Sequence, residues 1–138
     1  MDRIIQRELA VKVLYAMDLQ NNFSEKIFNN IIENEGFEID KMPFTCELVN
    51  GFKDNYFKIN FIVEENSENY PMSKLPKIDI SIIRTALTEI YILNQPYQVA
   101  INEAVEVSKK YSDELNYKFI NSFLGNIVRA DNAQFFSK

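Results

Sequence analysis

A chain of 138 residues that is 46% hydrophobic and 25% charged suits one globular domain of ordinary size and is too apolar for intrinsic disorder. Its one cysteine, Cys46, and its lack of histidine exclude an internal disulfide, zinc sites built from Cys and His, and Ser-His-Asp or Cys-His catalysis. The net charge of −5 counts against nucleic acid as a partner, but residues 1–20 sum to 0 and residues 109–138 to +2, against −5 for 21–75 and −2 for 76–108.

The first segment, MDRIIQRELA, is charged from its first turn and lacks the apolar run of a signal peptide. No stretch approaches the ~20 apolar residues of a membrane span, so a soluble, cytoplasmic chain is expected. From Asp2, a natural N-cap, Ile5, Leu9, Val13 and Met17 recur at i+4 beside Ala10 and Leu14, and Asn21-Asn22 stops the helix. Ser24 caps a shorter helix through about Glu35, with Ile27, Phe28, Ile31 and Ile32 on its apolar side and Gly36 ending it. A long helical pattern runs from near Pro43 to about Glu65, burying Phe44, Leu48, Phe52, Ile59 and Ile62, with Phe57 and Phe61 beside them.

The stretch ENSENYPMSKLPK is the most loop-like in the chain and reads as a joint between two halves of one domain spanning 1–138. Asp79 is placed to cap SIIRTALTEIYIL, whose stripe is Ile82, Ile83, Ala86, Ile90 and Leu93. Pro96 begins a helix with Ile101, Ala104, Val105 and Ser108 inward, and Asn116 opens a last one with Phe119, Ile120, Phe123, Leu124, Ile127 and Val128. With three glycines, four prolines and no strand-length alternation, the whole predicts an all-α domain of six or seven helices.

No glycine-rich phosphate loop occurs, since Gly36, Gly51 and Gly125 are far apart, and pairs such as Glu64-Glu65 and Asp113-Glu114 read as solvated helix ends. Cations and aromatics gather at the two chain ends. Arg3 and Arg7 lie one turn apart with Tyr15 beyond them, and Lys109, Lys110, Tyr111, Lys118 and Phe119 follow near the other end. Cations hold phosphates and aromatic rings stack on unpaired bases, although spacing alone fits a solvated helix surface better. Inside VAINEAVEVSKKY the polar pair Asn102-Glu103 asks for a reason. A short connection should set its helix against the preceding one, so Glu103 is expected to pair with Arg84 and Asn102 to bond nearby backbone.

These residues resemble the NusB family. The match is strongest in PYQVAINEAVEVSKKY (Pro96 to Tyr111), KFIN (Lys118 to Asn121), RELA and LY in the first helix, ELVNG (Glu47 to Gly51), and the Ile-Arg-x-Ala core of IDISIIRTA. The matches keep the family's order and span nearly the whole chain. The resemblance implies a seven-helix, all-α fold in two roughly perpendicular halves, with no catalysis and no cofactor. It implies an antitermination role: binding NusE, a small-subunit ribosomal protein, and single-stranded boxA RNA, and so acting on the RNA polymerase elongation complex in ribosomal RNA operons. Carried over, the RNA-binding residues are Arg3, Arg7, Tyr15, Tyr111, Lys118, Phe119 and Asn121, and the NusE-binding residues are Lys74, Lys77 and Asp79.

The chain departs from the family in its sparse N-terminal arginines, Arg3 and Arg7 only, and in Ser122 where a glycine usually follows the K-F-V-N motif. Fewer phosphate contacts mean weaker RNA binding and a shallower salt dependence. A NusB-like interaction module, such as a homodimer with its RNA face covered, is the alternative. A length of 138 residues leaves no room for the methyltransferase domain that follows a NusB-like domain in some ribosomal RNA cytosine methyltransferases.

Overall fold

The computed structural model describes residues 2–67 and 71–131, which form seven α-helices and no strand. These are α1 (Arg3–Gln20), α2 (Glu25–Asn34), α3 (Pro43–Asp54), α4 (Tyr56–Glu65), α5 (Lys77–Tyr91), α6 (Tyr97–Tyr111) and α7 (Asn116–Asp131). Single 3-10 turns sit at Ile39–Lys41 and Met72–Lys74. Part of the expected loop, residues 68–70, lies outside the described residues, as does Lys138 from the basic C-terminal segment.

Several helix ends follow the local chemistry of the sequence. The Asp2 carboxylate accepts the Ile4 N–H at 2.7 Å, and Asn21 closes α1 in the left-handed region at φ 49°. Ser24 caps α2, and Gly36 follows it at φ 85°, a conformation that costs glycine little. Pro96 is the cap residue before α6 rather than its first residue, and its C=O accepts the Ala100 N–H. α3 has no side-chain cap of its own. Instead the buried Gln6 of α1 accepts the Phe44 and Thr45 N–H groups at 2.7 and 3.2 Å, so packing supplies what the local sequence lacks.

The pattern expected as one helix over 43–65 is two. Asn55 leaves helical geometry (φ −123°, ψ 30°), and its side-chain amide donates to the Gly51 C=O at 2.9 Å, satisfying a carbonyl at the end of α3. The break lets Tyr56 join Phe23 and Phe52 in an aromatic cluster with centroids 5.5 to 6.1 Å apart. Phe57 and Phe61 face outward, at 84% and 54% exposure, rather than packing beside the core. Ile5 is likewise exposed, and the buried stripe of α6 is Ala100, Ala104, Val107 and Ser108.

The core is continuous from α1 to α7, and α5 is its axis, packing on α1, α3, α4, α6 and α7. Every residue from Asp79 to Ile90 is buried, including three ionisable groups, and each bonds to another helix or helix end. Asp79 accepts the Ser112 hydroxyl and the Asn116 amide, where α6 passes into α7. Arg84 donates to Asn60 of α4 at 3.0 Å, approaches Asp18 of α1 at 3.6 Å, and lies over the Phe52 ring. Glu89 accepts two bonds from Arg7 of α1. Buried charges need partners of this kind, and three of them on one helix fix the register of its neighbours.

Three expectations are thereby corrected. Arg84 pairs with Asp18 and Asn60, not with Glu103. Glu103 instead acts on the charge of Arg7 and borders a small cavity with Arg7 and Glu89. Asn102 is exposed and lines a shallow depression with Tyr97 and Asn121, so it does not bond buried backbone. Asp79 is the third residue of α5, behind Pro76 at the cap position, so it does not cap the helix from outside.

Candidate nucleic-acid interface

The two chain ends do meet. Glu8 points from α1 toward the C-terminal end of α6, where Lys110 Nζ donates to both its oxygens at 3.0 and 3.2 Å and the Tyr111 hydroxyl donates to Oε1. One turn further along α1, Lys12 bonds Glu35, the residue just past the end of α2, at 3.0 Å. The ammonium groups of Lys12 and Lys110 lie 5.4 and 5.3 Å from the centroid of the Tyr111 ring, within cation–π range. Lys109 sits 5.0 Å from the ring of Tyr117 in α7, carrying the cationic edge toward Lys118.

Beside this corner lies a groove of about 530 Å³ between α1, α2 and the start of α5. Tyr15, Leu19, Ile31, Ile78 and Tyr111 form its apolar walls, with Lys12 and Glu35 at its polar margin. Tyr15 is half-buried and Tyr111 is exposed, so each offers ring surface to the groove. Apolar walls with aromatic rings and a cationic rim can receive an unpaired base next to a phosphate.

The protonation states suit an interface of fixed charges. Burial alone pushes the Glu8 carboxyl up, but hydrogen bonds from Tyr111 and Lys110 outweigh it and hold the group below its usual range. Burial pulls Lys12 down, and its bond to Glu35 together with the charges of Tyr111 and Glu35 outweighs that pull and leaves the group raised. Lys110 is raised by its hydrogen bond to Glu8.

Of the residues expected to touch RNA, Arg3, Tyr111, Lys118 and Asn121 are exposed and Tyr15 is half-buried. Phe119 is also half-buried, with its ring stacked on Phe123 at 5.4 Å. Arg3 donates to Gln95 at 2.9 Å and its guanidinium covers the Phe44 ring at 4.2 Å. Arg7 is a correction. It is 7% exposed, and its Nε and Nη2 are engaged by Glu89, so it serves the core rather than a phosphate.

The expected protein-docking trio divides similarly. Lys74 and Lys77 are exposed, Lys77 lying 3.4 Å from Asp18. Asp79 is 1% exposed and turned inward, so it is removed from that surface. Glu8 and Lys12 were not among the expected residues. Their i, i+4 spacing with Tyr15 beyond is the signal that would have found them, because it sets all three on one face of α1.

Among the described residues there is no group of side chains that could hold a metal ion, and no helix is long and apolar enough to cross a membrane. Fold and surface together define a small all-helical scaffold that presents a cationic, aromatic face. The NusB family model matches residues 5–129. The transcription antitermination protein NusB of Clostridium novyi is 35% identical over 94% of this chain and all of its own length. That of Listeria welshimeri is 37% identical over 95% and 99%. Among solved structures, a chain in the complex of antitermination factors NusB and NusE with double-stranded RNA superposes with a TM-score of 0.84 at 25% identity, covering 94% of this chain and 99% of that one. NusB of T. maritima superposes with the same TM-score at 24% identity over 94% and 92%. The chain belongs to the NusB family.

Proposed function

We propose that this chain is a cytoplasmic, non-catalytic transcription antitermination factor of a single domain, which pairs with NusE and holds single-stranded boxA RNA in nascent ribosomal RNA transcripts. Through that pairing it acts on the elongating RNA polymerase. The observation that carries the reading is the corner between α1 and α6, where Lys12, Lys110 and Tyr111 stand beside a groove edged by Tyr15. Cations there hold the backbone of the strand and the tyrosine rings take its bases. Arg3 extends the surface at one end, and Lys118, Phe119 and Asn121 extend it at the other. Lys74 and Lys77, on the turn before α5 and its first residue, belong to the NusE face.

The reading is tested by fluorescence anisotropy with a labelled boxA-type RNA and a scrambled control, with and without purified NusE, at two salt concentrations. Binding that depends on sequence and strengthens with NusE is expected. Absence of binding even with NusE would overturn it, and light scattering would then decide whether self-association covers the face.

A further inference from the structure

The cationic corner is not empty of anions. Lys110 faces Glu8, Lys12 faces Glu35 and Lys109 faces Glu106, so each of the three ammonium groups meets a carboxylate of the same chain within 3.4 Å. The three pairs are not equivalent. Lys109–Glu106 is a pair of exposed side chains one turn apart on one helix, of the kind that contributes little. Glu8 differs because its side chain is 21% exposed while that of Lys110 is 60% exposed, and because Lys110 and Tyr111 both donate to it.

We propose that Glu8 is a built-in competitor for RNA phosphate: its carboxylate occupies the anion position framed by Lys110 and Tyr111, with the charge of Lys12 nearby, and an RNA phosphate engages those two donors only by drawing them away from it. The inference rests on the RNA-binding reading above and adds to it the residue that sets affinity at this corner. A carboxylate and a phosphodiester present the same feature to the donors, anionic oxygens that accept from an ammonium and a hydroxyl. Glu8 springs from the second turn of α1 on a short stem, so its carboxylate stays near the corner. Lys110, on a flexible four-carbon stem near the end of α6, can swing outward to a phosphate. RNA therefore loses the Glu8–Lys110 pair on binding and meets a fixed negative charge beneath its backbone. Both effects weaken binding, and both vanish when the carboxylate is made neutral. The low proton affinity of Glu8 keeps that charge in place through neutral pH.

The test is boxA-type RNA anisotropy with NusE present, across a series of salt concentrations, for the parent protein, Glu8→Gln, Lys110→Gln and the double variant. Glu8→Gln keeps an acceptor for the Tyr111 hydroxyl and should bind about 2- to 5-fold more tightly, the range of one partly exposed ion pair. Its plot of log affinity against log salt should steepen by about 0.7, the value of one additional phosphate neutralised on a single strand. Lys110→Gln should bind more weakly than the parent, and in the Glu8→Gln background it should erase the gain. Glu8→Asp, which retracts the charge by one methylene, should fall between parent and Glu8→Gln, and it keeps the test open if the amide variant fails to fold.

Equal or weaker binding by both Glu8 variants, with the parent still binding, would overturn the competitor role alone and leave Glu8 as a positioning residue for Tyr111. Failure of the parent and every variant to bind would overturn the RNA reading and this proposal together. Binding only after Glu8→Gln would support both.

Discussion

Arg7 and Glu89 form a two-pronged ion pair inside the protein, with Nε to Oε1 at 2.8 Å and Nη2 to Oε2 at 2.7 Å, joining α1 to the far end of α5. Glu89 is 1% exposed, so its charge depends on this partner. Replacing Arg7 with Ala should cost about 3–5 kcal/mol of unfolding free energy, because an unpaired carboxylate then stays buried. Lys at position 7 should recover only part of the loss, since a single ammonium cannot reproduce the fork. Urea unfolding of the three proteins checks this. A loss below about 1 kcal/mol for Arg7→Ala would mean that water reaches Glu89.

Asp79 gives a pH signature. Burial raises its pKa, and the hydrogen bonds from Ser112 and Asn116 offset that only in part. The folded state therefore holds this proton more tightly than the unfolded state does. Between the unfolded value of 3.8 and the higher folded value the native state binds more protons, so the Asp79 contribution to stability falls as pH rises through that window. Asp79→Asn can still accept from Asn116 and donate to the Ser112 oxygen, and it should remove this component from the stability profile. Thermal melts from pH 3 to 7 for both proteins would show it, and superimposable profiles would refute it. Asp79→Lys, by contrast, should unfold the chain rather than only weaken NusE binding, because it buries a cation among hydrogen-bond donors.

Gly51 lies inside α3, where alanine normally stabilises a helix by about 1 kcal/mol. Here a β-carbon would meet the Thr88 methyl at 3.0 Å and the Ile92 γ-methyl at 3.5 Å. Thr88 is fully buried and its hydroxyl is bonded to the Arg84 C=O at 2.8 Å, so it cannot turn away. Gly51→Ala should thus destabilise by about 1–2 kcal/mol as overpacking outweighs propensity. A higher melting temperature would show that α3 can slide off α5.

Six helical stretches and most of the core were legible because periodicity reports which side of a helix is apolar. It does not report which helix covers that side. Arg84 and Glu103 both stood beside apolar stripes, yet Arg84 paired with Asp18 and Glu103 came to act on the charge of Arg7 without pairing with it, because α5 faces α1 as well as α6. The break at Asn55 left no mark, since α3 and α4 continue one apolar rhythm with no proline or glycine at the joint. Arg7 could have been recognised. With Ala10, Val11 and Leu14 it makes an i, i+3, i+4, i+7 set, the spacing of an inward face, whereas Arg3 precedes the exposed Ile4 and Ile5.

That difference between two arginines one turn apart leads to the remaining prediction. Among the described residues, exposed Arg3 is held by Gln95 and by the face of Phe44, and its removal leaves no buried charge behind. Arg3→Ala should change unfolding free energy by less than about 1 kcal/mol, the scale of an exposed cation–π contact. It should flatten the salt dependence of boxA binding by about 0.7 in the log–log slope, the loss of one phosphate contact. Its effect on affinity should be similar for boxA-type and scrambled RNA, since a phosphate contact carries no sequence information. Anisotropy across a salt series with both RNAs, beside a melt, separates these outcomes. An unchanged slope would take Arg3 off the RNA path and leave the corner of Lys12, Lys110 and Tyr111 to hold the strand.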